Sequence, residues 1–170
     1  MNDSRTDKTG AKIEVRLMRS DDEQRLHSFY EGLSDETLRS YCRYTANRKY
    51  YIQRTMITLE CNVDSEKYLY MIAISGDEIV GIGMLGRWDS FLGTNYEVSH
   101  LITDEYQSHG IGSILMEEML AYAKIHMERY SLIARTAPCN YRAKGLLKKF
   151  GFVFEKTLSD HEESFWSYKM

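Results

Sequence analysis

The chain has 170 residues, 43% hydrophobic and 28% charged, with a net charge of −3. That balance suits a soluble globular chain with a real core, and it gives no bulk attraction to nucleic acid or to an anionic membrane. No run approaches the roughly 20 apolar residues of a bilayer-spanning helix, and the first residues, MNDSRTDKTGAK, contain no apolar signal-peptide core. A cytoplasmic location with no membrane or nucleic-acid partner is therefore expected. Cys42, Cys61 and Cys139 are odd in number, far apart and without metal-ligand spacing, so reduced thiols and no metal site are expected.

Residues 1 to 11 are polar and aperiodic, which reads as a disordered tail before a single domain over residues 12 to 170. KIEVRLM alternates Ile13, Val15 and Leu17 on one face, as a half-buried strand does. Ser20 and Glu23 have capping-box spacing for a helix through Phe29 and Tyr30, which Gly32 closes. Ser34 can cap a second helix whose Leu38, Tyr41, Cys42 and Thr45 share a face, and YYIQRTMITLE reads as a third. YLYMIAIS and IVGIGMLGRW form two strands around the turn GDE. A polar loop leads to the strand NYEVSHLIT, then to a helix from Ile111 to about Arg129. The strand YSLIART, the helix NYRAKGLLKKF, and the strands FVFEKT and ESFWSYKM complete the chain. This order predicts a mixed α/β sheet with helices on its faces.

Two glycine patterns compete for an anion. GIGMLG, residues 81 to 86, spells G-x-G-x-x-G, but the residues that follow lack helical periodicity, so it reads as a bent or crowded strand. QSHGIG, residues 107 to 112, instead follows a strand and opens the long helix, where unpaired N–H groups converge at the positive end of the helix dipole. Gly110 and Gly112 cost about 1 kcal/mol each against alanine inside a helix, and in return permit an unusual backbone and close approach of a phosphate. No lysine and threonine follow them as a Walker motif requires.

Gln107, Gly110 and Gly112 stand as Q-x-x-G-x-G, and with Asn140 and the segment KKFGF they resemble the GCN5-related N-acetyltransferases (GNAT). The resemblance spans residues 13 to 170. It implies a central, largely antiparallel twisted sheet of about seven strands with helices on both faces, two strands splaying apart to admit the cofactor, and acetyl-CoA as co-substrate. It further implies that amides of Gln107, Ser108, His109, Gly110, Ile111 and Gly112, with Ser113, hold the pyrophosphate. Leu101, Ile102 and Thr103 would pair with the pantetheine arm as an added strand does, and Asn140 would contact the cofactor near the thioester.

Transfer to an amine needs a neutral nucleophile, hence a base. Taken as a bare residue, Glu97 reads as a solvated or salt-bridged strand glutamate. The resemblance makes it the general base, because YEVSHLITDEYQSHGIG is similar, without a gap, to the branch that acetylates protein lysines. GLSDETL, residues 32 to 38, resembles that branch's LSPES or LSPET segment, with Asp35 in place of proline. Many small-molecule acetyltransferases of the family carry a tyrosine where this chain has Leu147, so either the thiolate leaves without a side-chain acid or another group such as Tyr141 serves. His100 should face away from Glu97, Ser99 and Leu101 in a regular strand, and it reads as structural. RSYCRYTANRKYY, residues 39 to 51, reads as amphipathic helix bordering the acceptor cleft, and Arg142, Lys144, Lys148 and Lys149 as a solvated helix face. The expected activity is acetyl transfer from acetyl-CoA to a protein lysine. A small-molecule amine as acceptor and a non-catalytic acyl-CoA sensor are the alternatives.

Overall fold

A computed structural model describes residues 3–41, 47–60, 68–90, 93–127, 131–158 and 163–169. Cys42, Thr45, Cys61 and the expected helix end near Arg129 lie outside the described residues. The elements run β1 (Asp3–Thr6), β2 (Lys12–Leu17), a 3-10 turn (Ser20–Asp22), α1 (Glu23–Glu31), α2 (Asp35–Tyr41), α3 (Arg48–Glu60), β3 (Tyr68–Ser75), β4 (Glu78–Ser90) and β5 (Gly93–Ile102). A 3-10 turn (Asp104–Tyr106), α4 (Ile111–His126), β6 (Ser131–Thr136), α5 (Tyr141–Lys149), β7 (Val153–Leu158) and β8 (Glu163–Tyr168) follow.

The strands form one sheet in the order β1-β2-β3-β4-β5-β6-β8-β7. Every pairing is antiparallel except β5 with β6. The eighth strand corrects the sequence reading. Residues 3–11 are not a disordered tail: β1 pairs with β2 from Asp3↔Val15 to Thr6↔Lys12. DSRT has no apolar alternation because its hold on the sheet is the backbone ladder, supplemented by Arg5, whose guanidinium pairs with Glu117 and Glu118 of α4. The expected polar loop before β5 is also replaced, since β4 and β5 stay in register out to Ser90↔Gly93.

Two cores cover the two faces. On one, α4 buries Ile111, Leu115, Met116 and Met119 against Val80, Leu85, Tyr96 and Val98, with Leu147 and Phe152 from the chain's end. On the other, Leu26, Phe29, Leu38 and Ile52 of the first three helices cover Ile72, Ile79, Ile82 and Leu101. The G-x-G-x-x-G stretch lies inside β4, and α4 is the reason for its first two glycines. A Cβ at Gly81 would come within 2.8 Å of Ile102 Cδ1 and 3.0 Å of both Ile111 Cγ2 and Leu115 Cδ1, and one at Gly83 within 2.8 Å of Met119 Sδ. Bare backbone there lets the helix settle onto the strand.

Helix entry is set differently at the two ends the sequence marked. Ser34 Oγ accepts from Thr37 N at 3.1 Å, so α2 begins where expected. For α1 the anchoring side chain is Asp22, not the Ser20 and Glu23 pair. Asp22 is 1% exposed, accepts from the Arg19 amide at 2.9 Å, and takes both Nη groups of Arg16 at 2.7 Å. The Arg16 hydrogen bonds, more than the opposing desolvation, hold its carboxyl down at about 2.

Two outcomes follow for stability. Gly81→Ala is expected to destabilise by about 1–3 kcal/mol in urea unfolding, because three side chains must yield. Asp22→Asn is expected to lose about 2 kcal/mol at neutral pH. Since the folded pKa lies below the unfolded one, Asp22's contribution is complete above pH 4 and lost as pH falls toward 2, so wild type and variant should converge over that interval.

Candidate functional site

The site follows from how β5 and β6 are held. Among the described residues their parallel pairing covers Asn95↔Ser131, Tyr96↔Leu132 and Glu97↔Ile133. Beyond Glu97, β5 stays with β4 as far as Gly81↔Ile102, while β6 stays with β8 to Thr136↔Ser164. The strands therefore part, leaving residues 98 to 102 with no strand partner on the β6 side among the described residues. A groove of about 570 Å³ opens there, lined by Val98 to Ile102 on one side, by Ala134 to Thr136 on the other, and by the glycine loop and α5 at its wide end.

At the loop, Gly110 is the N-cap of α4 with φ +94, a left-handed conformation that glycine alone adopts freely. Ser108 also has positive φ, +69. The amides of Gln107 and His109 are taken by Asp104 O at 3.3 Å and Tyr106 O at 3.4 Å, and Ser113 N bonds Gly110 O at 2.9 Å. The N–H groups of Ser108, Gly110, Ile111 and Gly112 have no such acceptor among the described residues. Four amides at the positive end of a helix make a cradle for an anion. A Cβ at Gly112 would meet Leu146 and His100 only at 3.4–3.5 Å, ordinary contact, so protein packing does not demand this glycine. Its bare backbone leaves the cradle open.

Around the loop a polar chain ties α2 to α5. Gln107 Nε2 donates to Thr37 Oγ1 at 2.9 Å and to Ile102 O at 3.3 Å, while its Oε1 accepts from Arg142. Thr37 and Ser34 donate in turn to Asp104 Oδ1 at 2.7 and 2.6 Å. Arg142 thus faces the groove instead of lying on a purely solvated helix face, and Lys149 Nζ donates to Ser113 Oγ at 3.1 Å. Asn140 Oδ1 caps α5 through Ala143 N at 3.0 Å, and the residue lines the groove.

At the narrow end Glu97 meets Arg135, whose Nε and Nη2 donate to the two carboxylate oxygens at 3.0 and 3.1 Å. Arg135 Nη1 also stands 3.5 Å from Glu163 Oε2, a buried oxygen that accepts no hydrogen bond. Carboxylate, guanidinium and carboxylate form a row across β5, β6 and β8, with one negative charge in excess. β5 is regular here, so Glu97, Ser99 and Leu101 face the α1–α3 side and His100 faces α4. Burial pushes the His100 imidazole down to about 4, leaving it neutral at physiological pH.

Of the residues singled out from sequence, Glu97, Leu101, Ile102, Gln107, Ser108, Gly110, Ile111, Gly112, Ser113 and Asn140 line the groove. Two do not. Thr103 is pinned to β4, its N and Oγ1 both bonded to Val80 O at 3.1 and 3.2 Å. His109 turns its Nδ1 toward Asp7 Oδ2 at 3.6 Å. Tyr141 is 78% exposed and outside the groove, so it is not placed to act as an acid there, and Leu147 is buried in the core. Sequence reasoning missed Arg135, Glu163 and Lys8. Only the first left a trace, as a charge between the buried residues of LIART.

A profile of the acetyltransferase (GNAT) family matches residues 21–152. Among solved structures, the chain is similar to the GNAT domain of S. lividans PAT, with 22% identity over 99% of this chain and 97% of that one and a TM-score of 0.83. It is also similar to RimL, a ribosomal L7/L12 alpha-N-protein acetyltransferase in complex with coenzyme A, with 10% identity, 93% and 94% coverage and a TM-score of 0.75. A third likeness is to a spermidine N-acetyltransferase SpeG chimera from Vibrio cholerae and hSSAT, with 16% identity, 93% and 95% coverage and a TM-score of 0.69. No curated protein sequence matches. The chain belongs to the acetyltransferase (GNAT) family, and it is an acyltransferase that takes its acetyl group from acetyl-CoA.

Proposed function

We propose that the acceptor is the side-chain amine of a lysine in a protein, and that Glu97 is the base that receives its proton. The observation that carries this reading is the position of Glu97 at the point where β5 and β6 part, with its carboxylate in the groove. Acetyl-CoA supplies an acetyl thioester. Ser108, Gly110, Ile111 and Gly112 offer N–H groups to its pyrophosphate, and residues 98 to 102 offer an unpaired strand edge to its pantetheine arm.

A lysine arrives as an ammonium with pKa near 10.4 and has no lone pair until a proton leaves. The surplus negative charge of Glu97 and Glu163 over Arg135 attracts that cation. Glu97 then takes the proton at one carboxylate oxygen while Arg135 keeps hold of the other. The amine nitrogen gains the acetyl group as the bond to sulfur breaks, and the sulfur leaves with the electron pair. A protein acceptor is favoured because α1–α3 pack on the β3–β5 part of this face, while Arg135 and Val153 on the outer strands are exposed to an approaching polypeptide. The resemblance of residues 32 to 38 and 96 to 112 to the lysine-acetylating branch supports the same acceptor.

Glu97→Gln is expected to lower kcat by about 10²–10⁴-fold at neutral pH while acetyl-CoA affinity stays unchanged, measured as thiol release with a lysine-bearing protein pool and by calorimetry. The deficit should shrink at alkaline pH, where more of the amine is already neutral. Undiminished activity would remove Glu97 from its role, and release with only a small amine would remove the protein acceptor. Because burial pushes the His100 imidazole down to about 4, the wild-type rate profile should carry no inflection from it between pH 6 and 7, and His100→Gln should leave the shape of that interval unaltered.

A further inference from the structure

The hairpin of β1 and β2 lies before the residues that the family profile matches, yet it is built onto the glycine loop. Its turn is rigid. The Asp7 side chain is 0% exposed, and its Oδ1 accepts from Thr9 N at 2.8 Å, Thr9 Oγ1 at 2.6 Å and Ala11 N at 3.0 Å. Gly10, at φ +89, supplies the left-handed residue that closes the turn. Two anchors fix the hairpin's position. Lys8 N donates to His109 O at 2.9 Å, and Arg5 pairs with Glu117 and Glu118 on α4.

This framework lays the Lys8 side chain across the start of α4. A Cβ on Gly110 would lie 3.4 Å from Lys8 Cγ and 3.7 Å from Lys8 Cε, so the stem runs over the loop's left-handed glycine. Lys8 lines the groove beside Ser108, Gly110 and Gly112. Among the described residues its ammonium has no acidic partner: the neighbouring Asp7 is buried, with Oδ1 committed to the turn and Oδ2 facing His109, and the two acids on α4 are taken by Arg5. A cation held without a counterion against four unpaired amides completes an anion site better than the amides can alone.

We propose that Lys8 is a ligand of the cofactor's phosphates, and that the β1–β2 hairpin is part of the binding site. This rests on the reading that the glycine loop holds the acetyl-CoA pyrophosphate. The side chain acts as a point charge from above the loop while the amides act from below, and the hairpin sets its height.

The test is the acetyl-CoA dissociation constant of wild type, Lys8→Met, Lys8→Arg and Lys12→Met across a salt series, with the unliganded melting temperature of each. Lys8→Met is expected to bind about 10-fold more weakly with a shallower salt dependence and an unchanged melting temperature, because the side chain is exposed. Lys8→Arg should keep most of the affinity, and Lys12→Met should match wild type. Unchanged affinity in Lys8→Met, or an equal loss in Lys8→Met and Lys8→Arg with the wild-type salt dependence, would overturn the proposal while leaving the glycine loop as the site. Absence of acetyl-CoA binding by wild type would instead overturn the glycine-loop reading, and Lys8 with it.

Discussion

The parallel contact between β5 and β6 ends at Glu97↔Ile133, and the site depends on that early end. β5 is held along its length by β4, and β6 by β8, each through an antiparallel ladder. Two strands committed to different outer neighbours share a short stretch and must then diverge. Divergence inside a sheet leaves backbone groups unpaired, normally a liability to be covered, and here the uncovered edge is the inner wall of a groove. Glu97 stands at the last shared residue, so the point of separation and the candidate base coincide. The glycines of β4 then decide where the opposite end of the groove lies. By letting α4 sit directly on the strand, Gly81 and Gly83 fix the height of the helix and, with it, of the loop that opens it.

The groove is electrically graded from end to end. At the wide end lie four unpaired amides, the helix dipole, and the cations Lys8, Arg142 and Lys149. At the narrow end two carboxylates share one guanidinium. Under the proposed function, this gradient would orient a ligand with an anionic tail and an uncharged reactive head and draw a cationic acceptor to the end where the head lies. His100 sits between the two ends, kept uncharged by burial, and adds nothing to the field at physiological pH.

Much of this was legible in the sequence where local rules apply. The period-two alternation of NYEVSHLIT placed Glu97, Ser99 and Leu101 opposite His100 because β5 contains no bulge. Ser34 marked a helix start because its cap is made to Thr37, three residues on. The glycines of QSHGIG marked the loop because one of them, Gly110, has a backbone angle that few residues accept. What was not legible depends on partners distant in the chain. β1 escaped notice because its polar residues are held by β2 and by a charge pairing between Arg5 and Glu117 and Glu118 in the middle of α4. Asp22 displaced the local Ser20 and Glu23 pattern because Arg16, on the preceding strand, claims it. Arg135 and Glu163 come together with Glu97 only through strand order, and Thr103 leaves the groove because a carbonyl on β4 takes both its donors.

Whether the splayed strands and the glycine loop together hold acetyl-CoA is read out by a backbone amide NMR titration with acetyl-CoA. The largest shift changes are expected at Ser108, Gly110, Ile111 and Gly112 and along residues 98 to 102, with β1, β3 and β7 little affected apart from the Lys8 turn. Saturable binding with its largest changes outside the groove, leaving those nine amides unmoved, would contradict this expectation.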